Sequence, residues 1–506
     1  MLRKVMTENG IVKGLPAADP RITSFKGIPF AAPPVGENRW RAPQPCKKWE
    51  GELEAYQFGP ISVQNTPGLG TDIYCKEWHV DPEIAMSEDC LYLNVWTNAK
   101  SADEKLPVLI WFFGGGFQWG YPAEMEFDGE RFARRGVVVV SVNYRLNVFG
   151  FLAHPELTAA QPDAPTNFGL LDQQAGIRWV KRNIAAFGGD PENITLAGQS
   201  AGGGSVMSQI TSPGNKGLFQ KAIVLSGVIR NPYGPGGILP TTLSEAEANG
   251  KGFIDFLGVS SVDEARSIDP VTLLSKYDEY VKTHPRFFPM VDGRFTVEDP
   301  FYCVARNKHL DVQILAGNTK DEFPNFIPAK TKEELAQKAK EIFGEDAEKF
   351  LALPEANVLF GNFAFAPVSG IECSVKEMFT QSAAHGNTAN NYYYRFDADI
   401  PGEDHPGTFH SVDLWFFFET LAKCWRPFQG RDYDLARKIC NYMTNFIKSG
   451  NPNGVDNDGT EMPLWKPYTK ENPVEMTFRT DGLVTGDRDK ETEFISMLMK
   501  ELGKNV

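Results

Sequence analysis

Short apolar runs alternate with longer amphipathic stretches along most of the chain. The runs with the length and apolar character of buried strands cover residues 107–113, 137–144, 194–197, 222–227, 312–318 and 391–396. Between them lie helical patterns such as "LLDQQAGIRWVKRNIAAF" at residues 170–187. Strands that alternate with helices predict a mostly parallel sheet covered by helices on both faces. Ligands of such sheets bind beyond the carboxyl ends of the strands, so the polar residues after each strand are of interest.

One serine follows the strand predicted at 194–197 and lies between two glycines. Residues 198–202 read Gly-Gln-Ser-Ala-Gly with Ser200 at the centre, and the small residues that follow can begin a helix. A strand that turns sharply into a helix holds the intervening side chain exposed and strained, and bulk on either side of it would clash. The pattern therefore indicates a nucleophilic serine, although the five-residue motif also occurs often by chance.

Other polar residues follow the predicted strands in an informative order. Residues 114–116 are three glycines after the first predicted strand, Asp321 and Glu322 follow the fifth, and His410 lies some 14 residues after the sixth. The chain order of serine, acid and histidine is the order of α/β-hydrolases and differs from two other common serine-protease orders. A neutral imidazole can take the proton of a serine and return it to a leaving group.

Composition and charge narrow the range of partners. The chain has 506 residues, of which 42% are apolar, and a formal net charge of −14, which argues against nucleic acid and anionic membranes. No apolar run reaches the roughly 18 residues of a membrane span, and residues 1–10 lack the apolar core of a signal peptide. Seven cysteines without a CxxC pair indicate neither a metal site nor a disulfide framework. We expect a cytoplasmic protein with reduced thiols; for an exported protein, a Cys75–Cys90 bridge is the alternative.

Several motifs extend this interpretation, including "SEDCLYLNVW" at residues 87–96 and the block that ends at Gly203. The segments that support this interpretation also include residues 25–45, 112–120, 143–152, 167–203, 319–323, 409–418 and 463–468. Together they resemble the type-B carboxylesterases, α/β-hydrolases that include cholinesterases and bacterial para-nitrobenzyl esterases. Length alone favours two to four domains, but the resemblance covers nearly the whole chain and implies one domain over residues 1–506.

The resemblance implies an α/β-hydrolase fold, with a central, mostly parallel sheet flanked by helices and large insertions that form a gorge. It implies a serine carboxylic-ester hydrolase that acts through an acyl-enzyme on a small-molecule ester. No cofactor or metal is expected, and the oligomeric state stays open.

The resemblance also assigns catalytic roles. Ser200 matches the nucleophile, His410 the base and Glu322 the acid that orients the base. Asp321 remains a rival for the acid because spacing does not separate neighbours, and His405 is the nearest rival for the base. The family usually has a glycine directly after the acid, whereas this chain has phenylalanine at position 323.

Further positions of the family match supporting residues. The backbone N–H groups of Gly115, Gly116 and Ala201 match an oxyanion hole, since donors in a glycine turn face an oxyanion without reorganising. Ser226 and Asp413 match positions that buttress the histidine and the acid. The pairs Arg39–Glu88 and Arg145–Asp172 match structural ion pairs of the family.

Candidate substrate contacts lie in the segments that line the family's gorge. They are Trp78, Trp119, Gln199, Phe287, Phe288, Phe416 and Phe417. Gln199 stands where the cholinesterases carry a glutamate that helps to hold a cation, which favours uncharged apolar or aromatic esters here. Trp78 could supply a cation–π contact, but it lies 12 residues before Cys90 and its register is open.

Other functions fit the same motifs. A hydroxycinnamate (feruloyl-type) esterase, a thioesterase or an amidase would use the same catalytic residues, because fold and triad do not specify the substrate. A remote alternative is a non-catalytic, cholinesterase-like binding protein, against which the intact Ser200, Glu322 and His410 argue.

Overall fold

The computed structural model describes residues 1–230, 241–325, 327, 329, 331–353, 358–360, 363–365, 368–469, 471–487, 493–504 and 506. In this part of the chain, strands β1 to β18 span Lys4–Thr7, Gly10–Lys13, Leu15–Pro16, Thr23–Pro29, Glu52–Glu54, Tyr92–Thr97, Leu106–Phe112, Val138–Val142, Gly189–Gln199, Lys221–Leu225, Gln313–Thr319, Pro324–Asn325, Val358–Phe360, Phe363–Phe365, Val368–Ser369, Tyr392–Phe396, Val474–Arg479 and Gly482–Asp487. Helices α1 to α16 span Tyr74–Glu77, Glu130–Arg134, Asn147–Phe151, Pro155–Ala160, Phe168–Asn183, Ala201–Thr211, Leu243–Leu257, Val262–Arg266, Pro270–Tyr280, Pro300–Ala305, Lys332–Phe343, Ala347–Leu351, Gly370–Ala384, Leu414–Phe417, Gly430–Ser449 and Glu493–Gly503.

The largest sheet of the described residues has eleven strands in the order β18-β17-β16-β11-β10-β9-β7-β8-β6-β4-β3. Neighbouring strands from β17 to β8 run parallel, whereas β18 at one edge and β6, β4 and β3 at the other pair antiparallel. The predicted central, mostly parallel sheet flanked by helices is confirmed. All six predicted runs form strands of its parallel part: β7, β8, β9, β10, β11 and β16.

The parallel strands are apolar because both faces of the sheet are covered. Every residue of β8 and of β10 is buried. Alternate side chains of β7 join different hydrophobic clusters: Leu109 packs into one, and Val108 and Ile110 pack into the other. A continuous apolar run is the expected pattern for a strand that is buried on both sides.

Two predicted elements differ most from the structure in their boundaries. Strand β9 begins at Gly189 rather than at residue 194, because Gly189 lies opposite Leu106 of β7; the register then shifts, and Ile194 is the next residue that pairs, with Val108. The helical pattern at 170–187 forms α5 and then a 3-10 turn, Ile184–Phe187, which Gly188 ends with φ 81°. Apolar periodicity shows the buried part of an element and not its polar ends.

Long insertions follow the carboxyl ends of the parallel strands. The segment after β10 carries α7 to α10, the segment after β11 carries α11 to α13, and the segment after β16 carries α14 and α15. These segments leave the sheet at the edge where its ligands are expected to bind.

Both predicted ion pairs are present. Arg39 Nε and Nη2 each lie 2.6 Å from a carboxylate oxygen of Glu88, and Arg145 Nε and Nη2 lie 2.8 and 2.7 Å from the oxygens of Asp172. All seven cysteines belong to the described residues and are free thiols, so Cys75 and Cys90 are not bridged. Among the helices described, none is long and apolar enough to cross a membrane.

Candidate active site

Ser200 occupies the sharp turn between β9 and α6. Its backbone has φ 55° and ψ −123°, and its N–H donates to the carbonyl of Leu225 at 2.9 Å. A Cβ on Gly202 would lie 2.0 Å from the carbonyl oxygen of Phe112, and one on Gly198 would lie 2.3 Å from that of Gly202. No side chain fits at these distances, so the predicted strand–turn–helix geometry depends on both glycines.

The glycine turn after β7 provides backbone donors next to Ser200. Gly115 has φ 105° and Gly116 has φ 59°, and a Cβ on Gly115 would lie 2.2 Å from the carbonyl oxygen of Trp119. No hydrogen bond between described residues uses the N–H of Gly115 or Gly116. Ala201 is the first residue of α6, where an N–H has no partner within the helix and the helix dipole is positive. These three N–H groups can stabilise a developing oxyanion.

His410 and Glu322 form a buried pair. Nδ1 of His410 lies 2.5 Å from Oε2 of Glu322, so an N–H at Nδ1 donates to the carboxylate. The second carboxylate oxygen of Glu322 accepts the N–H of Thr319 at 3.0 Å. Both side chains are nearly inaccessible to solvent, which strengthens their interaction.

The two rival residues occupy different surroundings. Asp321 is exposed, and its Oδ2 accepts the N–H and the hydroxyl of Thr408 at 2.8 and 2.9 Å. It therefore ties the segment after β11 to the loop that carries His410. His405 is exposed on a turn with φ 44°. Of the two acids, the structure brings Glu322 to His410, and Asp321 holds the loop.

The side chain of Gln199 contacts the other nitrogen of the imidazole. Nε2 of Gln199 lies 3.2 Å from Nε2 of His410, and Gln199 is buried. With the ring proton on Nδ1, Nε2 can accept a hydrogen from the amide. Among the described residues, no hydrogen bond joins the Ser200 hydroxyl to His410. Hydrogen bonds of catalytic groups often tighten only when substrate is bound.

Ser226 and Asp413 lie close to this pair but differ in their contacts. Oδ2 of Asp413 accepts the hydroxyl of Tyr394 at 2.8 Å, and burial raises the pKa of Asp413 to about 7. That value combines burial, the largest cause, with the Tyr394 hydrogen bond and the charge of His410, which lower the pKa, and the charge of Glu322, which raises it. The Ser226 hydroxyl has no hydrogen-bond partner among the described residues. Asp413 is thus coupled electrostatically to the pair, and Ser226 makes no hydrogen bond to it.

A buried ion pair that the sequence did not indicate lies next to the loop that carries His410 and stabilises it. Arg426 lies 2.7 Å from a carboxylate oxygen of Glu77 and 2.9 Å from one of Asp404. Its guanidinium group lies 5.7 Å from the ring centre of Phe409, the residue before His410. Glu77 and Arg426 are 349 positions apart, so no local pattern could relate them.

A cavity of about 110 Å³ opens beside Ser200. Gly116 and Ala201 form its wall on the oxyanion side, and the rest is mostly apolar. The other described residues that line it are Phe117, Gly204, Met207, Ser208, Gly227, Val228, Ile229, Arg230, Pro289, Met290, Thr296, Asp299, Pro300 and Phe301. No motif in the sequence singled out these residues, although the third glycine of "SAGGG" is Gly204, one of them.

The aromatic candidates lie elsewhere. Trp78 is buried and stacks on Phe409 with ring centres 6.4 Å apart, and Phe287 stacks on Tyr277 at 5.6 Å. Trp119 is 38% exposed. The other three pack within or against the hydrophobic core: Phe288, Phe416 and Phe417. None of the six is among the described residues that line the cavity: five pack within or against the core, and Trp119 is exposed.

Phe323 is an additional aromatic neighbour of the base. Its ring centre lies 4.3 Å from that of His410, and the side chain is 51% exposed. The departure from the family's glycine therefore places a phenyl ring against the imidazole on the solvent side.

Comparisons with known proteins find similar sequences and similar folds in one family. The sequence profile of the carboxylesterase family matches residues 2–358 and 367–495. The para-nitrobenzyl esterase of Bacillus subtilis is 32% identical over 519 aligned residues, with 99% of each protein covered. The cholinesterase of Mus musculus is 32% identical and covers 94% of this chain and 83% of its own length. A solved PNB esterase superposes with a TM-score of 0.78 at 29% identity over 98% of this chain and 100% of its own. A carboxylesterase of Geobacillus stearothermophilus superposes with a TM-score of 0.75 over the same shares, also at 29% identity.

Proposed function

Because the chain belongs to the carboxylesterase family and is a carboxylic-ester hydrolase, we propose that it acts on uncharged esters through an acyl-enzyme on Ser200. The observation that carries the proposal is the arrangement around one side chain. Ser200 lies in a strained turn beside backbone donors, and the side chain of the residue before it, Gln199, contacts the imidazole of the buried His410–Glu322 pair.

In the proposed first step, His410 Nε2 takes the hydroxyl proton of Ser200 as Oγ attacks the ester carbonyl. The oxyanion that forms is stabilised by the N–H groups of Gly115, Gly116 and Ala201. Since the Gln199 amide contacts Nε2, it must release that nitrogen before Ser200 can donate to it.

The imidazolium then returns its proton to the leaving alkoxide, and the acyl group remains on Ser200. Water attacks this ester in the second step, with His410 again as base, and the carboxylic acid and free Ser200 are released. Glu322 orients the ring and stabilises its charged form without taking the proton.

The preference for uncharged esters is supported by the neutral side chain of Gln199 and by the cavity. A carboxylate about 4 to 6 Å from a quaternary ammonium group would contribute roughly 1–4 kcal/mol at intermediate dielectric, and an amide carries no net charge. Most of the cavity wall is apolar, and its Arg230 and Asp299 form an ion pair with each other.

Covalent labelling tests the role of Ser200. A fluorophosphonate should form an adduct on Ser200, located by peptide mass spectrometry. Ser200→Ala should lose a factor of roughly 10⁴–10⁶ in kcat while it keeps the wild-type unfolding midpoint. An adduct on another serine, or an active alanine variant, would contradict the proposal.

A matched pair of esters tests the substrate class. We expect kcat/KM for a 3,3-dimethylbutyl ester to equal or exceed that for the choline ester of the same acid. An advantage of tenfold or more for the cation would refute the preference. Trp78→Ala would then show whether that ring supplies a cation–π contact.

A further inference from the structure

The position of the cavity relative to the base identifies the part of the substrate that enters it. Its described lining includes Ser200, Gly116 and Ala201 but not His410. The leaving oxygen of an ester must face the histidine that protonates it, and the acyl substituent lies on the other side of the carbonyl carbon. On the proposed function, the cavity therefore receives the acyl group.

Gly204 is the one half-exposed residue of helix α6, and it lines this cavity. The glycines before it are required by packing: a Cβ on Gly202 would lie 2.0 Å from the carbonyl oxygen of Phe112, and one on Gly203 would lie 2.8 Å from Cα of Gly227. A Cβ on Gly204 would instead meet the Phe117 ring at 3.6 Å, an ordinary contact distance. The backbone thus accepts a side chain at this position.

Glycine in a helix interior is less favourable than alanine, so its presence at position 204 has a cost that packing does not explain. What a side chain would change is the space beside the nucleophile. A methyl or isopropyl group at this position would project toward Phe117, within the part of the cavity that an acyl group must enter.

We propose that Gly204 determines acyl specificity by keeping the cavity open for uncharged acyl groups bulkier than acetyl. Phe117, Met207, Met290 and Phe301 provide apolar walls for such a group. The inference rests on the proposed function and adds to it the class of acyl group and a residue that selects it.

The test compares Gly204→Ala and Gly204→Val on acetyl, hexanoyl and benzoyl esters of one phenol. Gly204→Val should lose at least tenfold in kcat/KM on the two larger esters and less than threefold on acetyl, with Gly204→Ala between it and wild type. Gly204→Ala should also raise the thermal midpoint by roughly 1–3 °C, because alanine favours the helix. A lower midpoint would show that packing requires the glycine, which would overturn the inference.

Gly430→Val is the matched control. Gly430 is exposed at the first turn of α15, and a Cβ there meets nothing within 4 Å. Gly430→Val should leave the ratios of kcat/KM among the three esters unchanged. Equal losses on all esters in Gly204→Val, or no loss, would overturn the inference. Fluorophosphonate labelling of Ser200 in each variant separates this result from a failure of the proposed function, which would appear as missing labelling in the wild type.

Discussion

The two sides of the candidate active site are built in different ways. The nucleophile side, residues 113–120 and 198–204, consists of two continuous segments that leave the neighbouring strands β7 and β9. The base side, formed by Glu322 and His410, joins residues 88 positions apart on two long insertions. Other long-range interactions hold the base side in place, such as the hydrogen bond from Thr408 to Asp321 and the ion pair between Arg426 and Glu77.

This difference affects what each side tolerates. On the nucleophile side, backbone atoms approach the glycines so closely that no side chain fits at Gly198 or Gly202. On the base side, the contacts are made by side chains, several of them charged, and can be altered one at a time. We therefore expect substitutions on the base side to reduce the activity by different amounts, and the following variants test that expectation.

The largest effect should come from the histidine. His410→Ala removes the group that takes the serine proton, and we expect kcat to fall by roughly 10⁴–10⁶. His405→Ala, on an exposed turn, should stay within threefold of wild type. Steady-state kinetics of the two variants decide the assignment, and the reverse pattern would move the base to residue 405.

The next effect should distinguish the two neighbouring acids. Glu322→Gln keeps the size of the side chain but removes the charge that stabilises the imidazolium, so kcat should fall by roughly 10³–10⁴. Asp321→Asn weakens only the tie to Thr408 and should cost less than tenfold. Comparable losses of kcat in both variants would mean that the hydrogen bonding of Asp321 to Thr408 contributes as much to the activity as the charge of Glu322.

A smaller effect is expected from the amide beside the base. Gln199→Glu places a carboxylate near Nε2, which stabilises the protonated imidazole and keeps it protonated to higher pH. The acid-side midpoint of the pH profile of kcat/KM should therefore rise by roughly one unit. Gln199→Ala, which adds no charge, is the control. Identical midpoints in the glutamate and alanine variants would show that residue 199 does not act on the base electrostatically.

The smallest effect on turnover, less than threefold, is expected for Asp413→Asn, whose effect is on stability. Because burial raises the pKa of Asp413 to about 7, the folded protein binds this proton more tightly than the unfolded chain. Its stability thus falls as pH rises toward 7, whereas asparagine does not titrate.

The free energy of unfolding of Asp413→Asn minus that of the wild type should therefore increase by roughly 1–3 kcal/mol from pH 5 to pH 8. Urea unfolding at both pH values measures this. A difference that is the same at both values would mean that Asp413 does not hold its proton through this range.

The central sheet and the turn at Ser200 could be predicted from local sequence. The apolar runs identified six parallel strands, since burial on both faces leaves a continuous signal. The glycines at 198 and 202 indicated the turn, because a sharp strand-to-helix turn leaves no room for side chains on either side of its central residue. The polar start of β9 and the antiparallel edge strands carried no such signal.

The pocket could not be predicted in this way. Phe287 and Phe416 lie in segments that line the family's gorge, yet both are buried in the core, and the cavity is lined by Met207, Met290 and other residues that no motif singled out. An aromatic or aliphatic side chain looks the same in a sequence whether it packs inward or lines a cavity. Which of the two occurs depends on how the insertions pack against each other.

The sequence by itself determined the parallel sheet, the turn at Ser200 and the chain order of serine, acid and histidine. Each of these follows from a local pattern of residues or from the order of residues along the chain. Only the tertiary structure decided that Glu322 rather than Asp321 pairs with His410, that Gln199 contacts Nε2, and that the cavity opens at Gly204. These outcomes depend on the packing of segments that are distant in the chain, and spacing along the chain carries no information about the distance between their side chains.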